Sequence, residues 1–304
     1  MYDFPDVIRI EPSGACNFKC LHCSKTNNCS KEGSILSPEL FKLLMRQLIS
    51  GKIKIRVAVL YHGGEPLLNN YLFDFVHFLK KQGASIKFNS NASLLSEDAA
   101  NKIVTYMDER DSIVFSFDGN SELENDSIRV NGNFLRDSQN VINLLQLMNE
   151  YKCKVNVSIA NVQVCTEYSL LGYLRHNTAL KVPDYLCERF RCFPHVSVKC
   201  IPAMVWPSYD LSNSSFASTI SKVQNIKFYC PNPFETITIM ANGDVVPCCF
   251  DINGEMVFGN IKNFDIQDIW ASDKYNVFRD GIKNNKAQLL CKKCTKYTGY
   301  YLTK

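Results

Sequence analysis

The feature that most constrains this chain is a regular alternation of strand-like and helix-like segments running to about residue 205. Val7-Ile8-Arg9-Ile10 reads as a strand, followed by a Gly/Cys/Asn-rich loop over residues 13–34. Ser37-Pro38-Glu39 is an N-cap with proline at the first helical position, and Leu40, Leu43, Leu44 and Leu48 continue at helical spacing. Strands at 54–60, 85–88, 113–117, 155–160 and 196–201 then alternate with helices at 71–81, 97–107 (capped by Ser96), 134–151 and 167–175. Such alternation implies βαβ units and a parallel sheet, and about six units fit before residue 205.

The pattern breaks at residues 206–228, which are rich in Ser and Asn. Beyond them, apolar and β-branched runs at 236–240 and 244–246 flank Ala241-Asn242-Gly243, a hairpin signal. The expected organisation is an α/β domain over residues 1–206 and a small α+β domain over 207–304.

A formal charge of +4 on 304 residues, with no Lys/Arg run, gives no reason to expect a nucleic-acid partner. The first residues carry acids where a secretory signal would carry basic residues, and no apolar run is long enough to span a bilayer. The expectation is a cytoplasmic protein without a membrane partner. Fourteen cysteines are many for such a chain, and they gather near both ends, which favours metal or redox use over disulfides.

The first group is Cys16-Asn17-Phe18-Lys19-Cys20-Leu21-His22-Cys23. Zinc asks for four ligands, commonly two C-x-x-C pairs; three thiolates in one loop instead wrap a corner of a cubane and leave one iron open. The loop directly follows the first strand, at the end where barrel-type folds build active sites. This motif resembles the signature of the radical S-adenosylmethionine (AdoMet, SAM) superfamily, C-x-x-x-C-x-aromatic-C. His22 stands where that family usually has an aromatic residue near the adenine.

The resemblance implies a partial (β/α)6 TIM-like barrel, with the open iron chelated by AdoMet. Gly63-Gly64-Glu65-Pro66, after the second strand, resembles the family segment that binds the AdoMet amino group; adjacent glycines allow close backbone approach. Asn91 and Ser116, near the ends of the third and fourth strands, match positions assigned to the AdoMet ribose and carboxylate. Arg129 resembles an arginine found near that carboxylate.

The second group is Cys230, Cys248 and the pair Cys291 and Cys294. Four thiolates so placed suit either zinc or a cubane. Together with the hairpin they resemble a SPASM/twitch domain in its shortened form, which carries one auxiliary [4Fe-4S] cluster; no cysteine follows Cys294. Cys249 adjoins a ligand position and is the candidate hydrogen-atom donor, with Cys187 and Cys192 as rivals. Cys29, Cys153, Cys165 and Cys200 read as small buried hydrophobes.

The resemblance implies reductive cleavage of AdoMet and abstraction of a substrate hydrogen, with flavodoxin or ferredoxin as reducing partner. The expected substrate is carbohydrate-like, a sugar or aminocyclitol, and the outcome epimerisation if a thiol returns a hydrogen or oxidation if none does. The second expectation is a peptide-modifying maturase, although no peptide-recognition domain precedes residue 7. A non-catalytic zinc or electron-transfer protein is the alternative outside enzymes.

Overall fold

Side-chain caps set the helix starts. Ser37 Oγ accepts from the Leu40 amide, Ser96 Oγ from Ala99, and Asn133 Oδ1 from Arg136. The protein is described from a computed structural model covering residues 2–25, 33–207, 219–222 and 230–303. Cys29 and most of residues 206–228 lie outside the described residues.

The elements through residue 202 are β1 (Val7–Ile10), α1 (Pro38–Ser50), β2 (Val57–Val59), α2 (Leu72–Lys81), β3 (Ser85–Ser90), α3 (Glu97–Tyr106), β4 (Ser112–Ser116), α4 (Glu122–Ile128), α5 (Phe134–Glu150), β5 (Asn156–Gln163), α6 (Glu167–His176), α7 (Asp184–Phe190) and β6 (Ser197–Pro202). There follow β7 (Thr219–Lys222), α8 (Asn232–Glu235), β8 (Thr236–Ile239), β9 (Asp244–Val246), β10 (Gly259–Asn260), α9 (Ile266–Ala271), α10 (Asp273–Lys283), α11 (Leu289–Lys292), α12 (Thr295–Thr298) and β11 (Tyr300–Thr303).

The chain forms two compact units that interleave along the sequence. The first is built from Met1–Cys16, Ser30–Phe88 and Tyr229–Lys292. Here β8, β1, β2 and β3 lie side by side in that order; β1 pairs parallel with both β8 and β2, and β2 parallel with β3. β9 and β10 extend this sheet antiparallel beyond β8. Helix α1 buries Leu40, Leu44 and Leu48 as its apolar spacing predicts, together with Phe41 and Met45, whereas Leu43 is half-buried. Ile8, Ile10, Ala58, Leu60 and Ile86 are buried on the strands.

The second unit comprises Asn17–Cys29, Asn89–Phe228 and Lys293–Lys304. β4, β5 and β6 are parallel neighbours, and β11 pairs antiparallel with β7. Phe117, Phe134 and Tyr185 pack edge to face, with Phe117–Phe134 centroids 5.4 Å apart.

Several local expectations need correction. β2 is shorter than 54–60, because Arg56 at its start is exposed and forks onto the Asp6 carboxylate. Helices α4 and α7 are additional to the helices that the spacing predicts. The hairpin is present as β8–β9, but β8 also joins β1 in parallel. Of the spare cysteines, Cys165 is buried, Cys153 and Cys200 are half-buried, and Cys187 and Cys192 are exposed. The buried-filler reading therefore fails for Cys153 and Cys200, Cys153 because it sits just ahead of β5 rather than inside it.

Candidate AdoMet and cluster site

In the first unit the loop after β1 is shaped by backbone hydrogen bonds. The Gly14 amide donates to Ser34 O, and Leu36 to Pro12 O. Asn69 is buried and donates to both Pro12 O (2.7 Å) and Leu36 O (2.9 Å), tying the loop's return to its start. The Gly63-Gly64-Glu65 segment lies against this loop: Glu65 N donates to Ala15 O at 2.9 Å. A Cβ at Gly64 would stand 2.2 Å from Ala15 O and 2.3 Å from Ser13 O, so only glycine fits there. Gly63 is less confined, with Glu11 Oε1 at 3.1 Å from such a Cβ.

Glu65 does not project as an open carboxylate. It is buried, and its Oε1 caps the turn Pro66–Leu68 by accepting from Leu67 N. Glu11, which sequence reasoning missed, is also buried. Its two oxygens accept from Gly63 N and Ala241 N, both at 3.0 Å, fastening the glycine segment to the β8–β9 hairpin.

In the second unit, Asn17 lies at the centre of a network. Asn91 Nδ2 donates to Asn17 Oδ1 at 2.9 Å, and Asn17 Nδ2 donates to Ser93 Oγ at 2.8 Å. Ser93 donates back to Asn91 Oδ1 from both its amide and its hydroxyl. Asn91 thus braces the residue next to Cys16. Ala92 beside it holds φ = +67°, a conformation a non-glycine residue adopts only when its surroundings enforce it. Ser116 closes β4, half-exposed, in register with Ala160.

Lys19 N donates to Val130 O and Leu21 N to Ile128 O, so the end of α4 supports the segment carrying Cys20 and Cys23. Arg129 lies there and packs its guanidinium 5.7 Å from the centre of the Phe18 ring. Its main partner is Asp118, at 2.6 Å. Asp118 is fully buried, accepts from Val162 N, and lies 3.8 Å from His22 Nε2. Burial opposes the Asp118 charge, but Arg129, His22 and the Val162 amide outweigh it and hold the carboxyl below its ordinary range. Burial, aided by Arg129 and opposed by Asp118, holds the His22 pKa below its usual value, so the imidazole is kept neutral.

Cys16 is exposed, and Cys20 and Cys23 are half-buried. Cys230, Cys248, Cys291 and Cys294 are all buried, each at 9% exposure or less. Cys249 is half-buried, and Asn232 Nδ2 donates to its sulfur at 3.7 Å. Among the described residues, no three or more His, Cys, Asp or Glu side chains are gathered into a set that holds a metal ion. The donor chemistry nevertheless fits iron–sulfur clusters: soft thiols throughout, with Cys16 directly following the residues 13–15 that meet Gly64, and with Cys230, Cys248, Cys291 and Cys294 each buried.

The description "Radical SAM superfamily" matches residues 10–164, half of the chain, and the iron–sulfur cluster-binding SPASM domain matches residues 230–295. The chain belongs to the radical SAM superfamily and is a radical SAM enzyme, which removes the zinc-protein and electron-carrier alternative. Membership brings a [4Fe-4S] cluster, AdoMet and, in the SPASM domain, an auxiliary iron–sulfur cluster. The chain is 24% identical over 295 residues to an AdoMet-dependent 2-deoxy-scyllo-inosamine dehydrogenase of Niallia circulans, covering 95% of this chain and 92% of that one. It is 26% identical over 188 residues to the mycofactocin maturase MftC of Mycolicibacterium smegmatis, covering 59% of this chain and 44% of that one. The crystal structure of BtrN with AdoMet and 2-DOIA superposes with a TM-score of 0.59 at 21% identity, over 97% of this chain and 94% of that one. That likeness is one of fold: mixed α/β with a largely parallel sheet. Among the described residues no helix is long and apolar enough to cross a membrane.

Proposed function

We propose that this enzyme oxidises or epimerises a carbohydrate-like small molecule. The observation that carries the reading is the end-to-end likeness to a dehydrogenase acting on 2-deoxy-scyllo-inosamine, which spans both cysteine groups. Residues 1–206 are the AdoMet-dependent part and 207–304 the auxiliary-cluster part.

Cys16, Cys20 and Cys23 hold the AdoMet-binding cluster, and Cys230, Cys248, Cys291 and Cys294 hold the auxiliary one. When bound, the first cluster and AdoMet supply a hydrogen-abstracting species that no side chain can provide. The Gly63-Gly64-Glu65 backbone meets the methionine end of AdoMet, where the lack of a side chain at Gly64 permits close approach. Asn91 positions the cysteine loop through Asn17. Ser116 offers a hydroxyl to the ribose and carboxylate region. Arg129, held in place by Asp118, presents positive charge toward the AdoMet carboxylate, and neutral His22 stacks near the adenine.

Cys249 is the hydrogen-atom donor. Its thiol would return a hydrogen atom to the substrate carbon on the face opposite abstraction, which inverts that centre. The thiyl radical left on Cys249 would take a second electron from the reducing partner and a proton from solvent to restore the thiol. A reduced flavodoxin or ferredoxin supplies the electron, in the cytoplasm.

The test is turnover of 2-deoxy-scyllo-inosamine and candidate sugars in deuterated solvent. Deuterium at carbon supports a thiol donor, a ketone supports oxidation, and conversion of neither class sinks the carbohydrate reading. A second reading, peptide maturation, is favoured by the likeness to MftC. It predicts that a precursor peptide, and no sugar, is modified.

A further inference from the structure

Buried arginines in this molecule come in contrasting settings. Arg279 on α10 is fully buried without a carboxylate, and although its Nη2 has no hydrogen-bond partner among the described residues, its Nε and Nη1 are well engaged. It donates to Pro233 O (2.9 Å), Trp270 O (2.8 Å) and Asn276 Oδ1 (3.0 Å), and lies 3.8 Å from the ring centres of both Trp270 and Tyr275. That is a structural arginine, neutralised by carbonyl and aromatic electron density.

Arg9 on β1 is 7% exposed and lacks such a cage. Among the described residues its one hydrogen bond is a long one, 3.5 Å to Thr238 Oγ1, and its buried Nε finds no partner there. Among the described residues no carboxylate pairs with it. Glu11, two residues beyond Arg9 and just past the end of β1, already accepts from two backbone amides. A buried cation without an anion is costly unless a ligand supplies the charge.

The register shows where that ligand would lie. Thr238, Arg9, Val59 and Lys87 form one row across β8, β1, β2 and β3, so their side chains share a face. Lys87 is exposed and makes no ion pair among the described residues. Strands in a sheet are roughly 4.8 Å apart, so Arg9 and Lys87 stand about 10 Å apart at the backbone with Val59 between them, a span that two long side chains can close on one small anion. The Arg9 guanidinium sits 5.6 Å from the centre of the Tyr61 ring, toward the end of β2 that leads into Gly63 and Gly64. The row therefore lies just below the segment assigned to AdoMet.

We infer that Arg9 and Lys87 form a subsite for an anionic group of the substrate, a phosphate or carboxylate on the carbohydrate. This rests on the carbohydrate reading above and narrows it to acidic or phosphorylated sugars. The other anion available there is the AdoMet carboxylate, and the experiment separates the two.

Cluster-loaded, unreduced enzyme is titrated calorimetrically with AdoMet, inorganic phosphate, glucose 6-phosphate and glucose. The wild type should bind the phosphorylated sugar about tenfold more tightly than glucose, as a charge-assisted pair implies. Arg9→Met should erase that preference and leave AdoMet affinity intact, and Arg9→Lys should restore part of it. If Arg9→Met does not fold, Lys87→Met at an exposed position must still weaken phosphate-ester binding about threefold. A wild type with no preference for the phosphorylated sugar overturns the proposal. So does an Arg9→Met variant that loses AdoMet binding instead, or one that loses neither. Because binding is read on unreduced enzyme, a wild type that binds glucose 6-phosphate there, yet converts no sugar when reduced with AdoMet, sinks the carbohydrate reading and leaves the anion subsite standing.

Discussion

Gly64→Ala isolates the contact on which the loop proposed to bind AdoMet is built. The new Cβ would begin 2.2 Å from Ala15 O and 2.3 Å from Ser13 O, against a floor of 3.0 Å for real Cβ contacts. Both atoms are backbone, so no side chain can swing aside. One segment must retreat by about 0.8 Å, the gap between 2.2 and 3.0 Å. That retreat stretches the 2.9 Å bond from Glu65 N to Ala15 O and displaces the chain next to Cys16. Overpacking costs ~1–3 kcal/mol and a lost hydrogen bond ~1 kcal/mol, so the closed loop is disfavoured by about 2–4 kcal/mol. That weakens AdoMet binding by roughly 30-fold or more, since every 1.4 kcal/mol is a factor of ten. Gly63→Ala is the internal control, because its Cβ meets neighbours at 3.1 Å and needs only small adjustments. The assay is AdoMet affinity by equilibrium dialysis beside iron content for both variants. A Gly64→Ala protein with wild-type affinity, or a Gly63→Ala protein equally impaired, refutes the reasoning.

Asp118→Asn strands the Arg129 guanidinium in a buried site, and removing one partner of such a pair costs about 3–5 kcal/mol, readable by urea unfolding. Since the folded Asp118 pKa lies below its unfolded value, its contribution is fully present at neutral pH and is lost as pH falls through the acidic folded value; the variant should lack this dependence. Cys230→Ala should lower iron from about eight to about four per chain, the auxiliary cubane being lost, as counted by colorimetric iron assay. Cys249→Ala should turn an epimerised product into a dehydrogenated one by mass spectrometry, and unchanged epimerisation excludes this thiol.

Much of the fold is legible because its signals are local. Ser37 and Ser96 cap the helices they announce, and the apolar spacing in α1 predicts its buried face. Helices α4 and α7 are only seven residues each, too short for an apolar period to mark them in the sequence. The parallel pairing of β8 with β1 joins residues 7–10 to 236–239, and nothing in either strand marks the other.

The site divides the same way. Cysteine spacing and Gly63-Gly64 are readable as motifs, but the reason for Gly64 lies in two carbonyls some fifty residues upstream. Glu11, Asn17 and Asp118 escaped notice because each acts through partners distant in sequence: Glu11 with Ala241, Asn17 with Asn91, Asp118 with Arg129. The Glu65 carboxylate also caps its own turn through Oε1, a local role that only the three-dimensional path reveals.

The central claim is that seven cysteines hold two clusters and that one of them supports AdoMet cleavage. Anaerobic reconstitution with iron and sulfide, followed by dithionite and AdoMet, tests both parts in one preparation. The account predicts about eight irons per chain and release of 5′-deoxyadenosine. Bound zinc in place of iron, with AdoMet recovered intact, would contradict it.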